Sequence, residues 1–201
     1  DSSRGHREMT RAALRGGVKV IQFRDKNASD EEMILIGRRL REITKGKTLL
    51  IINDRVNVAK AIDADGVHLG KSDLSIAEAR RILGKEKIIG ASANTAEEAV
   101  AVAQKGADYI GLGPIFATPS KEDAAAPAGI EAVRKTISEF KKRRIETPLI
   151  VIGGINETNA ASVLEAGAQG IAVISAVSKS KNMKEAVEKL LGITHSFRKT
   201  S

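Results

Sequence analysis

The chain contains no cysteine and no tryptophan, and only one tyrosine and four phenylalanines among 201 residues. The lack of cysteine excludes a disulfide framework, a thiolate nucleophile and a cysteine-ligated zinc site, and it suits a reducing compartment. The longest apolar runs, at 49–52 and 149–152, have the length of strands, and no secretory or membrane-spanning pattern occurs. These features predict a cytoplasmic protein with no membrane partner.

The formal net charge is +8, yet the few aromatic side chains leave little on which nucleic-acid bases could stack. The densest basic cluster, at 141–144, falls where a predicted helix ends, and cations there complement the helix dipole. An anionic small-molecule substrate accounts for the charge equally well. We therefore predict small phosphorylated substrates and no nucleic-acid partner; the oligomeric state stays open, a homo-oligomer included.

Helical patterns alternate with short β-branched runs, and turns of small residues separate them, which is typical of a parallel sheet covered by helices. We predict strands at 18–23, 48–52, 66–69, 88–91, 108–112, 149–152 and 170–174. Helices are predicted at 6–15, 30–44, 55–62, 76–83, 96–105, 129–143, 157–166 and 183–191. Capping boxes at Ser29, Ser75 and Thr95 mark three of the helix starts. The short connections favour a (β/α)8 barrel, one domain over 1–201 with a short basic tail from about residue 193.

In such a barrel the site lies at the carboxyl ends of the strands. Gln22, Arg24 and Lys26 share one face at the strand period of two and form a candidate anion site, unless they are only an exposed strand end. Asp54 and Asp73 follow adjacent strands and are candidate Mg²⁺ ligands, although Asp54 could instead cap a helix and Asp73 could serve a turn. His68 is interpreted as a polar position within its strand.

Later strand ends carry hydroxyls and glycines. Ser92 follows the strand at 88–91. Gly153 and Gly154 follow 149–152 and Ser175 follows 170–174, which matches the common barrel phosphate site, although paired glycines also form ordinary tight turns. The loop after 109–112 is rich in glycine, hydroxyl and cationic residues. It can close over an anion, or it can be a solvated connector.

Several motifs occur in order between about residues 17 and 177. They are Gln22-Phe23-Arg24-Asp25-Lys26, Ile52-Asn53-Asp54-Arg55-Val56, Asp65-Gly66-Val67-His68-Leu69-Gly70 with Asp73, Gly90-Ala91-Ser92, 111–116 with Thr118, Ser120, Lys121 and Asp123, Ile152-Gly153-Gly154-Ile155, and Ile174-Ser175-Ala176. Through them the chain resembles the thiamine-phosphate synthase family.

The resemblance implies a transferase that joins a hydroxymethylpyrimidine diphosphate to a thiazole phosphate with Mg²⁺ as cofactor and releases pyrophosphate. By position it implies that Asp54 and Asp73 bind the metal. It assigns the pyrimidine diphosphate to Gln22, Arg24, Lys26, Asn53, Ser92 and Lys121, of which Arg24, Ser92 and Lys121 are the candidate catalytic residues. It assigns the thiazole-phosphate end to Thr118, Ser120, Gly154, Ile174 and Ser175. Ser120 and Asn94 depart from the family pattern, where threonine and histidine are common, but both keep hydrogen bonding.

Two alternatives stay open. A sister enzyme of this family, the thiazole tautomerase, moves protons and carries a histidine in the turn where this chain has Pro114, a residue that cannot transfer protons. A non-catalytic sensor on the same barrel could keep the phosphate donors but would not need the Asp54 and Asp73 pair. Turnover that depends on Mg²⁺ distinguishes the sensor from the synthase.

The strand count is one short of a (β/α)8 barrel. We expect a short apolar strand before Asp1, because an open barrel would expose two apolar edges. The strands at 18–23 and 170–174 should then flank a gap of about 9–10 Å, twice the spacing of neighbouring strands. Direct pairing of these two strands would contradict the expectation.

Overall fold

A computed structural model describes residues 5–118 and 126–198. Seven parallel strands form one sheet in chain order: β1 Val20–Phe23, β2 Leu49–Asn53, β3 Gly66–Leu69, β4 Ile88–Ala93, β5 Tyr109–Leu112, β6 Leu149–Ile152 and β7 Gly170–Ala172. All seven predicted strands are confirmed, with ends shifted by at most two residues. Their short apolar sequences, each preceded by a small-residue turn, carried enough signal to locate them.

The sheet curls as in a TIM-like fold, but it is not a full eight-stranded barrel. Within the described residues β1 pairs only with β2, and β7 only with β6. The prediction of a (β/α)8 barrel is therefore corrected to seven strands in an open sheet. The direct β1–β7 pairing that would have closed a seven-stranded barrel does not occur among these residues, and the eighth strand stays a prediction.

Helices connect the strands and cover the outer face of the sheet. They are α1 His6–Arg15, α2 Asp30–Thr44, α3 Val56–Ala61, α4 Ile76–Leu83, α5 Ala96–Gln104, α6 Gly129–Arg143, α7 Ala160–Glu165, α8 Ser175–Ser178 and α9 Met183–Arg198. Complete capping boxes begin α2 and α4, and the Thr95 hydroxyl accepts the Glu98 N–H at the start of α5. No helix in the described part of the chain is long and apolar enough to cross a membrane.

Three helical predictions need correction. The helix predicted at 157–166 is shorter, because the side chains of Asn156 and Asn159 bind backbone N–H groups in a turn that precedes it. Helix α8 was missed, since four residues are too few to show a helical period. Helix α9 continues to Arg198, so residues 193–198 belong to a helix and are not a tail.

The turn residue before several strands extends the sheet by one pair of hydrogen bonds. Asp108 donates its N–H to the Ile89 carbonyl, and its carboxylate accepts the Ile89 N–H at 2.6 Å. Asp65 makes the same two hydrogen bonds with Leu50. Gln169 makes them with Leu149 through its backbone N–H and its side-chain amide oxygen. Directly before β3, β5 and β7, a side-chain oxygen thus takes the place of a strand carbonyl.

We expect Asp108→Ala to lower the free energy of unfolding by about 1–3 kcal/mol, because it leaves the fully buried Ile89 N–H without its acceptor. Asp108→Asn should lose much less, since an amide oxygen already serves in the equivalent place at Gln169. Urea unfolding measures both variants. Glu188→Ala, which removes an exposed pair with Lys184, is the control and should change little. Equal losses for the alanine and asparagine variants would contradict this account.

Candidate active site

Two carboxyl groups meet where β2 and β3 end. Asp54 directly follows β2 and has a φ of 63°, in the left-handed region that few residues other than glycine adopt. Its N–H donates to the His68 carbonyl at 2.8 Å, which fixes it against β3. Helix α3 begins at Val56, and its N-cap residue is Arg55. Asp54 is therefore not the cap of that helix. Of the two roles that the sequence allowed, metal ligand and helix cap, the second is wrong.

Asp73 reaches the same place from the loop after β3. Its Oδ2 accepts the Gly70 N–H at 2.6 Å, so the expected turn role is real. Its carboxyl group also lies within hydrogen-bonding distance of Asp54. Burial, together with the hydrogen bond and the negative charge of Asp73, raises the pKa of Asp54 to about 6. A half-buried pair of carboxyl groups whose negative charges repel one another is suited to a cation.

Positive charge lies beside this pair. The charges of Arg24 and Lys26 act against the rise of the Asp54 pKa, so both lie near its carboxyl group. Strand β1 ends at Phe23, which places Arg24 and Lys26 in the loop beyond it. Asp25 holds that loop by accepting the N–H groups of residues 27 and 28. The predicted strand periodicity was therefore wrong for the two cations, which approach Asp54 from the loop after β1.

A cavity of about 460 Å³ opens at these strand ends. Its lining includes Lys26, Asn53, Asp54 and Asp73, four of the predicted site residues, together with Asp30. Among the residues described, no cluster of three or more His, Cys, Asp or Glu is arranged for a metal. Within this lining, Asp54 and Asp73 form a carboxylate pair, which suits a hard cation that shares its remaining positions with phosphate oxygens.

Gln22 and Ser92 belong to a second polar group, centred on His68. The His68 Nε2 lies 2.9 Å from the Ser92 Oγ, and its Nδ1 lies 2.9 Å from the Tyr109 hydroxyl. Gln22 acts to lower the pKa of the same hydroxyl, against the larger effect of burial. Sequence reasoning missed Tyr109 and treated His68 as a simple polar strand position. The sequence feature that could have pointed to Tyr109 is Gly90, because a Cβ at that position would collide with the Tyr109 ring.

The loops after β5 and β6 are held together by their backbones. The N–H groups of Ile115 and Phe116 donate to the carbonyls of Ile152 and Gly153 at 2.9 and 3.0 Å. Gly153 and Gly154 have φ values of 99° and 64°. A Cβ on Gly154 would lie 2.5 Å from the Ala117 carbonyl oxygen. The paired glycines therefore do form a tight turn, and that turn brings the two loops into contact.

The remaining predicted residues are divided between described and undescribed parts of the chain. Thr118 ends the described part of the loop after β5, whereas Ser120, Lys121 and Asp123 lie outside the described residues. Ile174 is 44% exposed and precedes α8, and Ser175 is the first residue of that helix. Asn94 donates its side-chain N–H to the Gly113 carbonyl at 2.6 Å.

Gly154→Ala is expected to destabilise the protein by about 1–2 kcal/mol through its left-handed backbone alone, and to displace the loop at Ala117. Gly192→Ala is the matched control, because Gly192 lies inside α9 with open space around it and should gain stability. Thermal unfolding and kcat/KM measure the two effects. Wild-type stability of Gly154→Ala would show that the turn is not constrained.

A family model described as thiamine monophosphate synthase matches residues 1–177. The chain is 46% identical to the thiamine-phosphate synthase of Chloroflexus aurantiacus over 188 residues, which is 93% of this chain and 84% of that protein. It is 45% identical to that of Moorella thermoacetica, with 91% of this chain and 85% of the relative covered. The chain belongs to the thiamine monophosphate synthase family.

Solved structures agree with membership of the thiamine monophosphate synthase family. The thiamine phosphate pyrophosphorylase of Pyrococcus furiosus superposes with a TM-score of 0.87 at 41% identity, and covers 98% of this chain and 93% of that one. A 3-hexulose-6-phosphate synthase superposes with a TM-score of 0.66 at 16% identity, over 92% of this chain and 94% of that one. The second likeness shows the shared fold alone. In this family member, the aspartate pair and the glycine turn lie on the loops that follow β2, β3 and β6.

Proposed function

We propose that this protein is a thiamine-phosphate synthase, a transferase of thiamine biosynthesis. It joins 4-amino-2-methyl-5-hydroxymethylpyrimidine diphosphate to a thiazole phosphate and releases pyrophosphate. The observation that carries the proposal is the 46% identity to a curated thiamine-phosphate synthase over 93% of the chain. The proposal includes action on small phosphorylated substrates in the cytoplasm, without a nucleic acid or a membrane.

The carboxyl pair fits Mg²⁺, because it combines two half-buried oxygen ligands with a raised Asp54 pKa that a cation would relieve. Asp54 and Asp73 would hold the ion. When bound, Mg²⁺ would neutralise charge on the diphosphate and help it to leave. With two carboxylates as its protein ligands, the ion would keep coordination positions for diphosphate oxygens and water.

The cations near this pair support binding of the pyrimidine diphosphate. Arg24 and Lys26 lie close to Asp54, and Asn53 lines the same cavity as Lys26. We assign the pyrimidine diphosphate to these three residues together with Gln22, Ser92 and Lys121. An arginine presents a planar set of donors that matches two phosphate oxygens, and lysine adds a point charge. Negative charge that develops on the departing pyrophosphate would meet donors that are already in place.

The thiazole phosphate is assigned to the neighbouring loops. Thr118, Ser120, Gly154, Ile174 and Ser175 form this proposed subsite. Support comes from the tight contact between the loops after β5 and β6, which places Gly154 beside Ala117, one residue before Thr118. The thiazole nitrogen attacks with a lone pair and carries no proton, so the reaction needs no general base. The site instead has to align two substrates, which lowers the barrier by restricting their motion.

Incubating the protein with both substrates and Mg²⁺ and detecting thiamine phosphate tests the proposal. Product should form with Mg²⁺ and should not form in excess chelator. Binding of the thiazole phosphate without turnover would favour the sensor, and proton exchange on the thiazole phosphate alone would favour the tautomerase. Pro114 speaks against the tautomerase, because it cannot transfer a proton.

A further inference from the structure

Three polar side chains from three strands form a continuous hydrogen-bonded chain. The hydroxyl of Tyr109 on β5 lies 2.9 Å from Nδ1 of His68 on β3, whose Nε2 lies 2.9 Å from Oγ of Ser92 on β4. Strands β3 and β5 are not neighbours in the sheet, because β4 lies between them. The chain of bonds therefore joins two strands across β4 and ends at Ser92.

Glycines make room for the two rings of this chain. A Cβ on Gly90 would lie 2.1 Å from the Tyr109 ring, and one on Gly111 would lie 2.9 Å from Cε1 of His68. The rings themselves are in contact, with centroids 5.4 Å apart. Both rings thus pack closely over glycines of neighbouring strands. The heavy atoms of the chain are placed, and its proton positions remain to be assigned.

Those positions follow from the donors and acceptors along the chain. Burial raises the pKa of Tyr109, so the phenol keeps its single proton at neutral pH. Among the described residues, the side-chain hydrogen bond of the Tyr109 hydroxyl is the one to Nδ1 of His68, so the phenol proton is directed to that nitrogen. A neutral imidazole that accepts at Nδ1 carries its proton on Nε2 and donates it to Ser92 Oγ. The Ser92 proton is left to point away from His68.

We propose that His68 is a positioning residue that fixes the Ser92 hydroxyl as a hydrogen-bond donor toward the bound pyrimidine diphosphate. The inference rests on the proposed function for the identity of that acceptor, but not for the orientation itself. Diphosphate oxygens only accept hydrogen bonds, so a serine that donated its proton to His68 would be turned the wrong way. Tyr109 acts through the same chain by setting the tautomer of His68.

The tautomer is measured directly by two-dimensional ¹H–¹⁵N NMR of the labelled protein without substrates. The chain has three histidines, and His68→Gln identifies the His68 signals by their loss. We expect a protonated Nε2 and an unprotonated Nδ1 at neutral pH. A protonated Nδ1 would overturn the proposal. Because no substrate is present, this result is independent of whether thiamine phosphate is formed.

Kinetics tests whether His68 acts through Ser92. We expect His68→Gln and Tyr109→Phe each to lower kcat about tenfold or more, as loss of such supporting partners commonly does. In a Ser92→Ala background the same substitutions should lower kcat less than about twofold, because their common target is gone. Multiplicative losses would overturn the proposal. Tyr109→Phe keeps the ring beside Gly90, so it remains informative if the His68 variant fails to fold.

Discussion

Replacing Arg24 by alanine is expected to lower kcat by about a hundred- to a thousandfold, the common cost of losing one donor that stabilises charge in the transition state. The physical reason is its location, since Arg24 lies close enough to Asp54 to act on its pKa and follows directly from β1. There its guanidinium would meet the oxygens of the departing pyrophosphate. Steady-state rates at saturating substrates and Mg²⁺ measure the effect.

Arg24→Lys separates charge from geometry, because lysine keeps the positive charge but lacks the planar set of donors. It should recover part of the lost rate. Arg39→Ala is the matched control: Arg39 is exposed on α2, and its removal takes the same charge from a distant surface. A higher KM with unchanged kcat in Arg24→Ala would instead assign Arg24 to ground-state binding.

The Mg²⁺ concentration has to be saturating in that comparison. The positive charge of Arg24 lowers the pKa of Asp54, against the effects of burial and of Asp73. Without Arg24 the Asp54 carboxyl would hold its proton more tightly, and a cation would compete with that proton. Arg24 and the aspartate pair are therefore coupled, and their substitutions should not be additive.

The strands were readable from the sequence because each is a short apolar run between turns of small or polar residues. The positions of Asp54 and Asp73 at one edge followed from parallel topology, since carboxyl ends of neighbouring strands lie together. The left-handed backbone of Asp54 was not readable, because it depends on a bond to the His68 carbonyl of the next strand. Tertiary contact supplied that part.

The His68 chain shows the same limit more clearly. Its members come from β3, β4 and β5, and nothing in the sequence spacing relates His68 to Tyr109 across β4. The register of the three strands brings them together, since His68 and Tyr109 both pair with Gly90. Gly90 and Gly111 were visible in the sequence, but their meaning requires knowing which ring lies opposite each of them.

Asp54→Asn and Asp73→Asn are each expected to raise the Mg²⁺ concentration needed for half-maximal rate at least about tenfold, since each replaces a charged ligand by a neutral one. Asp30→Asn is the matched control, because Asp30 lines the same cavity but pairs with Arg55. It should leave the Mg²⁺ requirement near that of the parent. Titration of Mg²⁺ at saturating substrates measures all three variants.

The stability of the metal-free protein, measured in excess chelator, distinguishes a carboxylate that binds the metal from one that stabilises the fold. The pKa of Asp54 is raised to about 6 in the folded protein, so the ionised group destabilises the fold above that pH, and this cost disappears as the pH falls below the pKa of the unfolded chain. Asp54→Asn should therefore leave the metal-free protein more stable than the parent at pH 7.5, and the advantage should shrink toward pH 4. Urea unfolding at both pH values measures it. A variant that loses Mg²⁺ response and is also less stable at pH 7.5 would show that Asp54 serves the fold instead of the metal.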